Sequence, residues 1–421
     1  MNNLRQHINL KYIDKTYWAL FIMLIVVACV ALFSASSTLV YESQSALGPV
    51  AGQMFFFFIG IVAAFFIQFV PSMWVRASGY LILGFSLLCL YAIMVAPNAA
   101  FVATINGASR WIKVAGITFQ PSEIAKLGLI IVVADQLARV RSEEDKKKYF
   151  IRTLIITVLT VLPIMVGNLS TAVLLFLIVF IMWILARLPW KYILSVFGIG
   201  VVAVVLGYCI VEFAYVRPHR QLHGPMSRAV TWVGRVDDMF SEHSNKDSKF
   251  EVTDENYQRA IAKVAIARGS KSPLGVLPGN SKERDFLPLA FADYIFAIIV
   301  EESGIIGACF LIFLYMSILF RACWTSSRFA DYSSMLMVMG LALMITCQAL
   351  ISMMVAVGIG PVTGQPLPII TRGGTSAVIT SIYFGIIMGV SREQKELQAR
   401  LDITKEESNN DVPDIILEDN L

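Results

Sequence analysis

The run Tyr17-Trp-Ala-Leu-Phe-Ile-Met-Leu-Ile-Val-Val-Ala-Cys-Val-Ala-Leu-Phe-Ser-Ala-Ser36 carries no charge and no proline. A helix that crosses a bilayer needs roughly 20 such residues, so this run is long enough to span. It follows a polar, mildly basic start, Met1 to Thr16, and lacks an Ala-x-Ala end. It therefore reads as a retained first helix rather than a cleaved signal. Further apolar runs recur at 52–70, 78–97, 122–140, 150–167, 170–187, 191–216, 291–321, 333–358 and 375–391. The whole chain is 57% hydrophobic and 15% charged, against roughly 25% charged in soluble domains. One soluble core cannot hide that much apolar surface. The expected fold is an all-α polytopic membrane protein of about ten helices.

Lysine and arginine set the orientation. Arg76, Arg139, Lys146, Lys147, Lys148, Arg187, Lys191, Arg321 and Arg392 lie at one set of helix ends. The short loops of the other set carry only Arg110, Lys113 and Arg372. The first set is cytoplasmic, which places both termini inside. The expected organisation is a cytoplasmic segment 1–16, helices one to seven over 17–216, and a large extracytoplasmic loop over 217–289. Helices eight to ten then occupy 290–391, and an acidic, disordered cytoplasmic tail covers 392–421. Spans five and six are separated by only Gly167, Asn168 and Leu169, which predicts a tight turn. The six cysteines sit singly, without a CxxC or Cys/His cluster, so no disulfide framework or zinc site is indicated. The net charge of +4 gives no sign of nucleic acid.

The outer loops carry the chemistry. The third-to-fourth loop reads Asn106-Gly-Ala-Ser-Arg-Trp-Ile-Lys113, then Phe119-Gln-Pro-Ser-Glu-Ile-Ala-Lys126. Pro121 suits a first helical turn, and Glu123 there complements the positive helix end. Glu123 and Lys126 are three apart and share a face. They read either as an ion pair with a snorkelling lysine or, with Arg110, as a cationic pocket for an anionic headgroup. Asp293 stands where the chain re-enters the membrane, after Asp285-Phe-Leu-Pro-Leu-Ala-Phe-Ala. It suits a helix cap, and a carboxylate at that depth equally suits catalysis. Glu301, about two turns deeper, reads as facing the same cavity or pairing with a basic residue. The last outer loop, Pro361-Val-Thr-Gly-Gln-Pro-Leu-Pro-Ile-Ile-Thr-Arg372-Gly-Gly-Thr-Ser376, marks irregular backbone at membrane depth. Such backbone lies buried in protein or lines a cavity. Arg372, with the amides of Gly373, Gly374, Thr375 and Ser376, offers a place for an anion.

These segments resemble the SEDS family of membrane proteins (shape, elongation, division and sporulation), the FtsW/RodA/SpoVE group, over about residues 15–392. The resemblance rests on Gly107-Ala-Ser-Arg-Trp111, Gln120-Pro-Ser-Glu-Ile-Ala-Lys126, Leu169-Ser-Thr-Ala172 and Tyr257-Gln258. It continues through Gly279-Asn-Ser281, Asp293-Tyr-Ile-Phe-Ala297, Glu301-Glu-Ser-Gly304, Gly364-Gln-Pro-Leu-Pro368 and Gly373-Gly-Thr-Ser376. It implies a glycosyltransferase that polymerises lipid II into peptidoglycan on the outer face of the bacterial inner membrane. It further implies a class B penicillin-binding protein transpeptidase as partner, among other divisome or elongasome membrane proteins. The family's catalytic aspartate falls on Asp293, and its arginine, glutamate and lysine fall on Arg110, Glu123 and Lys126. Gln258, Arg372 and Gly373 to Ser376 join them as expected substrate contacts. A divalent cation, Mg or Mn, is an expectation at Asp293, and no organic cofactor is expected. The family's glutamate and histidine before the aspartate are absent from Leu287-Pro-Leu-Ala-Phe-Ala-Asp293. The Asn168-Leu-Ser-Thr-Ala pattern resembles the division branch more than the elongation branch. A lipid II flippase and a non-catalytic scaffold are the alternative readings.

Overall fold

A computed structural model describes residues 12–35, 48–105, 108–114, 117–212, 257–286, 294–360 and 364–410. Its helices are α1 (Lys15–Ala35), α2 (Gly48–Ile67), α3 (Ser72–Val95), α4 (Pro121–Ala138) and α5 (Glu143–Gly167). They continue with α6 (Leu169–Leu185), α7 (Trp190–Val211), α8 (Tyr257–Gly269), α9 (Ile295–Ser326), α10 (Tyr332–Val357) and α11 (Gly374–Asn410). Among the described residues, helices stand at all ten positions read from the apolar runs, and α8 is additional. Eight are long and apolar enough to cross a membrane, while α6 is shorter. The remaining one, α4, carries Glu123, Lys126 and Asp135 within 18 residues. The result is a polytopic helical membrane protein, with α10 and α4 at its centre and α7 almost wholly outward-facing.

Local chemistry sets the helix ends. Pro121 opens α4 with Glu123 in its first turn, as the sequence predicts. Ser142 caps α5 by accepting from the Asp145 amide at 3.3 Å, ahead of Glu143 and Glu144, so this helix begins before the expected residue 150. Asn168 alone separates α5 from α6 and accepts from the Thr171 amide at 3.2 Å.

The third-to-fourth loop carries a small antiparallel sheet that no sequence pattern indicated: β1 (Val102–Ile105), β2 (Ala108–Val114) and β3 (Ile117–Phe119), in the order β1-β2-β3. The seventh helix is described over Trp190–Val211, and residues 213–216 of its expected span lie outside the described residues. The eighth runs Ile295–Ser326 rather than 291–321, and it breaks at Gly304, whose φ of 66° is outside helical space. The tail expected to be disordered from 392 instead continues α11 to Asn410, because its polar residues find partners. Arg392 is buried and donates to the Gln68 carbonyl at 3.2 Å. Glu393 accepts from the Ser72 amide at 2.7 Å, capping α3. Residues 213–256, 287–293 and 411–421 lie outside the described residues, and so does most of the expected 217–289 loop.

Two seams hold the bundle. In the first, α2 and α11 run side by side with small residues facing each other. A Cβ added at Gly385 would lie 2.9 Å from Ala64 Cα, and one at Gly389 would lie 2.9 Å from the Gln68 carbonyl oxygen. Small residues let helix backbones approach closely where lipid supplies no hydrophobic drive. Gly385→Val should therefore lower stability by about 1–3 kcal/mol through overpacking, read as a lower melting temperature in detergent. An unchanged melting temperature would show that the seam yields freely.

The second seam is polar and joins the start of α1 to α9 and α11. The buried Asp14 carboxylate accepts from Arg321 of α9 at 2.7 Å, Lys395 of α11 at 2.7 Å and Ser391 at 3.3 Å. Burial alone would raise its pKa, but the hydrogen bonds and charges of Lys395 and Arg321 hold it below the ordinary 3.8. A depressed carboxylate pKa stabilises the fold above the unfolded value and loses that contribution as pH falls through the folded value. Asp14→Asn should cost about 1–3 kcal/mol, since both basic partners are partly solvated. The difference from wild type should hold between about pH 5 and 8 and shrink below about pH 4. A pH-independent difference in melting temperature would contradict this account.

Candidate active site

The outer loops converge through hydrogen bonds. In the sheet, Ala103 pairs with Trp111 and Thr104 with Ser109, which leaves Arg110 as the extra residue of a bulge. Bulges re-aim side chains and recur beside active sites. The Arg110 side chain lies over the joint between α5 and α6. A Cβ added at Gly167 would meet Arg110 Cγ at 3.3 Å. The first predicted loop is thereby brought against the Leu169-Ser-Thr-Ala172 segment.

From that joint a polar chain runs inward. Thr171 Oγ1 accepts from Gln365 Nε2 at 2.7 Å. The adjacent Pro366 carbonyl accepts from Gln348 Nε2 of α10 at 2.9 Å. The same Gln348 accepts at its Oε1 from Lys126 Nζ at 2.9 Å. Lys126 Nζ also pairs with Glu123 Oε1 at 2.8 Å, and the Glu123 carbonyl accepts from Tyr383 of α11 at 3.5 Å. Lys126 is 1% exposed. Of the two readings of this pair, the ion pair is realised, and the ammonium is sealed in the protein rather than snorkelling.

The last outer loop is held from several sides. Tyr315 of α9 donates to the Pro368 carbonyl at 2.5 Å. Thr371 closes it by accepting from the Leu367 amide at 2.7 Å and donating its own amide to the Leu367 carbonyl at 3.0 Å. Irregular backbone at membrane depth is thus satisfied internally. Arg372 and Gly373 to Ser376 follow, all half-buried, at the start of α11. The two glycines differ. A Cβ on Gly374 would collide with the Phe56 ring, whereas one on Gly373 would touch only Ser376 of its own helix. Gly374 is there for packing, and Gly373 is less crowded among the described residues.

Gln258 is half-buried in the first turn of α8, and no hydrogen bond among the described residues joins it to this hub. Its helix is tied to the end of α10 by Arg259, which donates to the Gly358 carbonyl at 3.1 Å. Asp293 lies outside the described residues. Tyr294 and Ile295, which follow it, are buried at the start of α9. Among the described residues no three His, Cys, Asp or Glu side chains converge as ligands. The cation expectation concerns Asp293, which is outside those residues, and no step is derived through it. Sequence reasoning missed Gln348, Tyr315 and Tyr383. The available signal was Gln348, a lone amide in an otherwise apolar span.

A buried ion pair, three motif segments and a helix start are thus joined within one part of a helical membrane bundle. The family model described as "Cell cycle protein", FtsW/RodA/SpoVE, matches residues 14–396, and the chain belongs to this family of multi-pass inner-membrane proteins. The peptidoglycan glycosyltransferase MrdB of Escherichia coli K12 is 26% identical over 386 residues, covering 92% of this chain and 95% of that one. The probable peptidoglycan glycosyltransferase FtsW of Halomonas elongata is 31% identical over 357 residues, covering 82% and 81%. The solved structure of the rod shape determining protein RodA of Thermus thermophilus matches with a TM-score of 0.63 at 21% identity, covering 92% and 99%. A chain from a structure of a peptidoglycan synthase complex matches with a TM-score of 0.70 at 22% identity, covering 91% and 98%. These structural likenesses concern the fold.

Proposed function

We propose that the protein is a peptidoglycan glycosyltransferase that polymerises lipid II on the outer face of the inner membrane. The observation that supports this reading is the hub that brings together Arg110, Glu123–Lys126, Thr171 and the Gln365–Thr371 loop. Asp293 takes the proton of the acceptor sugar's 4-hydroxyl. That oxygen attacks the anomeric carbon of the donor at the strand end, and undecaprenyl diphosphate departs. The α-linked donor becomes a β-linked product, so one displacement and one base suffice. A good leaving group removes the need for the second carboxyl that glycoside hydrolysis uses. Arg110 and Arg372 with the Gly373 amide neutralise the departing diphosphate, and the buried Lys126–Glu123 pair fixes the loops that present them. Lipid tails lie between helices, which accounts for a sugar-joining enzyme built of membrane spans.

The partner in this reading is a class B penicillin-binding protein, in keeping with the synthase complex among the structural neighbours. The role is septal. The Asn168-Leu-Ser-Thr-Ala pattern supports this. Vesicles holding the protein and fluorescent lipid II separate polymerisation from transport. Consumption of outer-leaflet lipid II into polymer, without faster translocation than in empty vesicles, is the expected result. Translocation without polymer would overturn the reading in favour of a flippase.

A further inference from the structure

Glu301 and Glu302 are buried carboxyls, 0% and 4% exposed, that the proposed reaction does not use. Both are spent on the segment between α8 and α9. Glu301 accepts from the Ser281 hydroxyl and, at 3.2 Å, from the Lys282 amide. Arg268, the last basic residue of α8, stands 3.6 Å from Glu301 and 2.8 Å from Glu283. Glu302 accepts from the Gly279 amide at 3.1 Å and from Ser34 at the end of α1. Of the two readings of Glu301 in the sequence, the basic pairing is the one realised, with a backbone strap as its further partner.

The backbone repeats this docking. The break at Gly304 frees the carbonyls of Glu301 and Glu302, and these accept from the Val276 and Leu277 amides, each at 2.9 Å. Gly275 and Gly304 both hold left-handed φ, 65° and 66°. A Cβ on Gly275 would lie 2.6 Å from the Gly304 nitrogen, so only glycine permits this approach. Charged side chains inside a membrane bundle are costly, and a backbone held at Leu277 with φ of 72° adds strain. A loop that served only as a connector would need neither.

We infer that Glu301 and Glu302 are positioning residues for strand polymerisation, which clamp residues 275–282 onto the first turns of α9. The inference rests on the proposed polymerase reading. The clamped strap runs into a short 3₁₀ turn, Glu283–Phe286, held by Arg268. Seven residues further, in sequence, stands Asp293, and then the buried start of α9. The clamp fixes the chain on both sides of that stretch. Misplacement of a reacting group by about 1 Å costs on the order of a hundredfold in rate.

The test uses the full-length protein with labelled lipid II and its transpeptidase, together with hydrogen exchange over residues 276–282. In Glu301→Ala and Glu302→Ala, exchange at these amides should rise. The kcat should fall about tenfold or more, with KM for lipid II within about threefold. Glu302→Gln keeps an acceptor for Gly279 and should restore both readouts. If the alanine variants do not fold, Ser281→Ala removes one donor without stranding a charge, and should raise exchange and lower kcat about threefold. Normal kcat in a variant whose strap exchanges freely would overturn the inference, as would undisturbed exchange in every variant. Failure of the wild-type protein to polymerise would instead count against the proposed function.

Discussion

Asp293→Asn should reduce strand synthesis at least about a hundredfold, the scale of losing a general base, while the protein purifies and unfolds like wild type. The N-cap of α9 is Tyr294, the residue after this carboxylate. Asparagine matches aspartate in size and still accepts a hydrogen bond, so a purely structural role would survive the change. It cannot take a proton from a sugar hydroxyl, so a catalytic role would not. Tyr294 to Ala297 are buried in the start of α9, and the near-isosteric change leaves their packing alone. Initial rates of strand formation, measured beside thermal unfolding, decide the matter. A rate within about threefold of wild type would remove Asp293 from the chemistry.

The second large effect concerns the Glu123–Lys126 pair. Each single neutralisation strands a charge in a site that is nearly sealed from solvent. Lys126→Met and Glu123→Gln should each cost about 3–5 kcal/mol, because the lost partner leaves the other uncompensated. The double variant removes both charges and should recover most of that stability, a coupling that a double-mutant cycle reads directly. Its polymerisation should stay low. Without the ammonium, the Gln348 amide loses one of its two partners and the Pro366 carbonyl loses its fixed donor. A double variant that is both stable and fully active would reduce the pair to a structural element.

Much of the fold was legible because a bilayer imposes so strict a solvent. Runs such as 17–36 could be placed within a few residues, since only a helix satisfies their backbone in lipid. The small sheet was not legible, because Val102–Ile105 and Ile117–Phe119 are too short to show a period. The continuation of α11 was missed for a different reason. Arg392 and Glu393 look like a solvated tail in sequence, and they become structural only through Gln68 and Ser72, more than 300 positions away. At the site, the spacing of Glu123 and Lys126 put them on one face but left an ion pair and a cationic pocket both open, and the structure shows the ion pair. Their partner Gln348 needed the packing of α10 on α4, which no local pattern encodes. Glu301 could not be separated from a catalytic cavity by helical angle alone. What faces it is a strap 20 residues upstream, docked where Gly304 interrupts the helix.

The most direct test of the central claim is a gel that resolves glycan strands made from labelled lipid II by the purified protein with its class B penicillin-binding protein. The account expects a ladder of strands that disappears with Asp293→Asn and persists when the partner's crosslinking activity is blocked. No strands from the wild-type pair, or an unchanged ladder from Asp293→Asn, would contradict it.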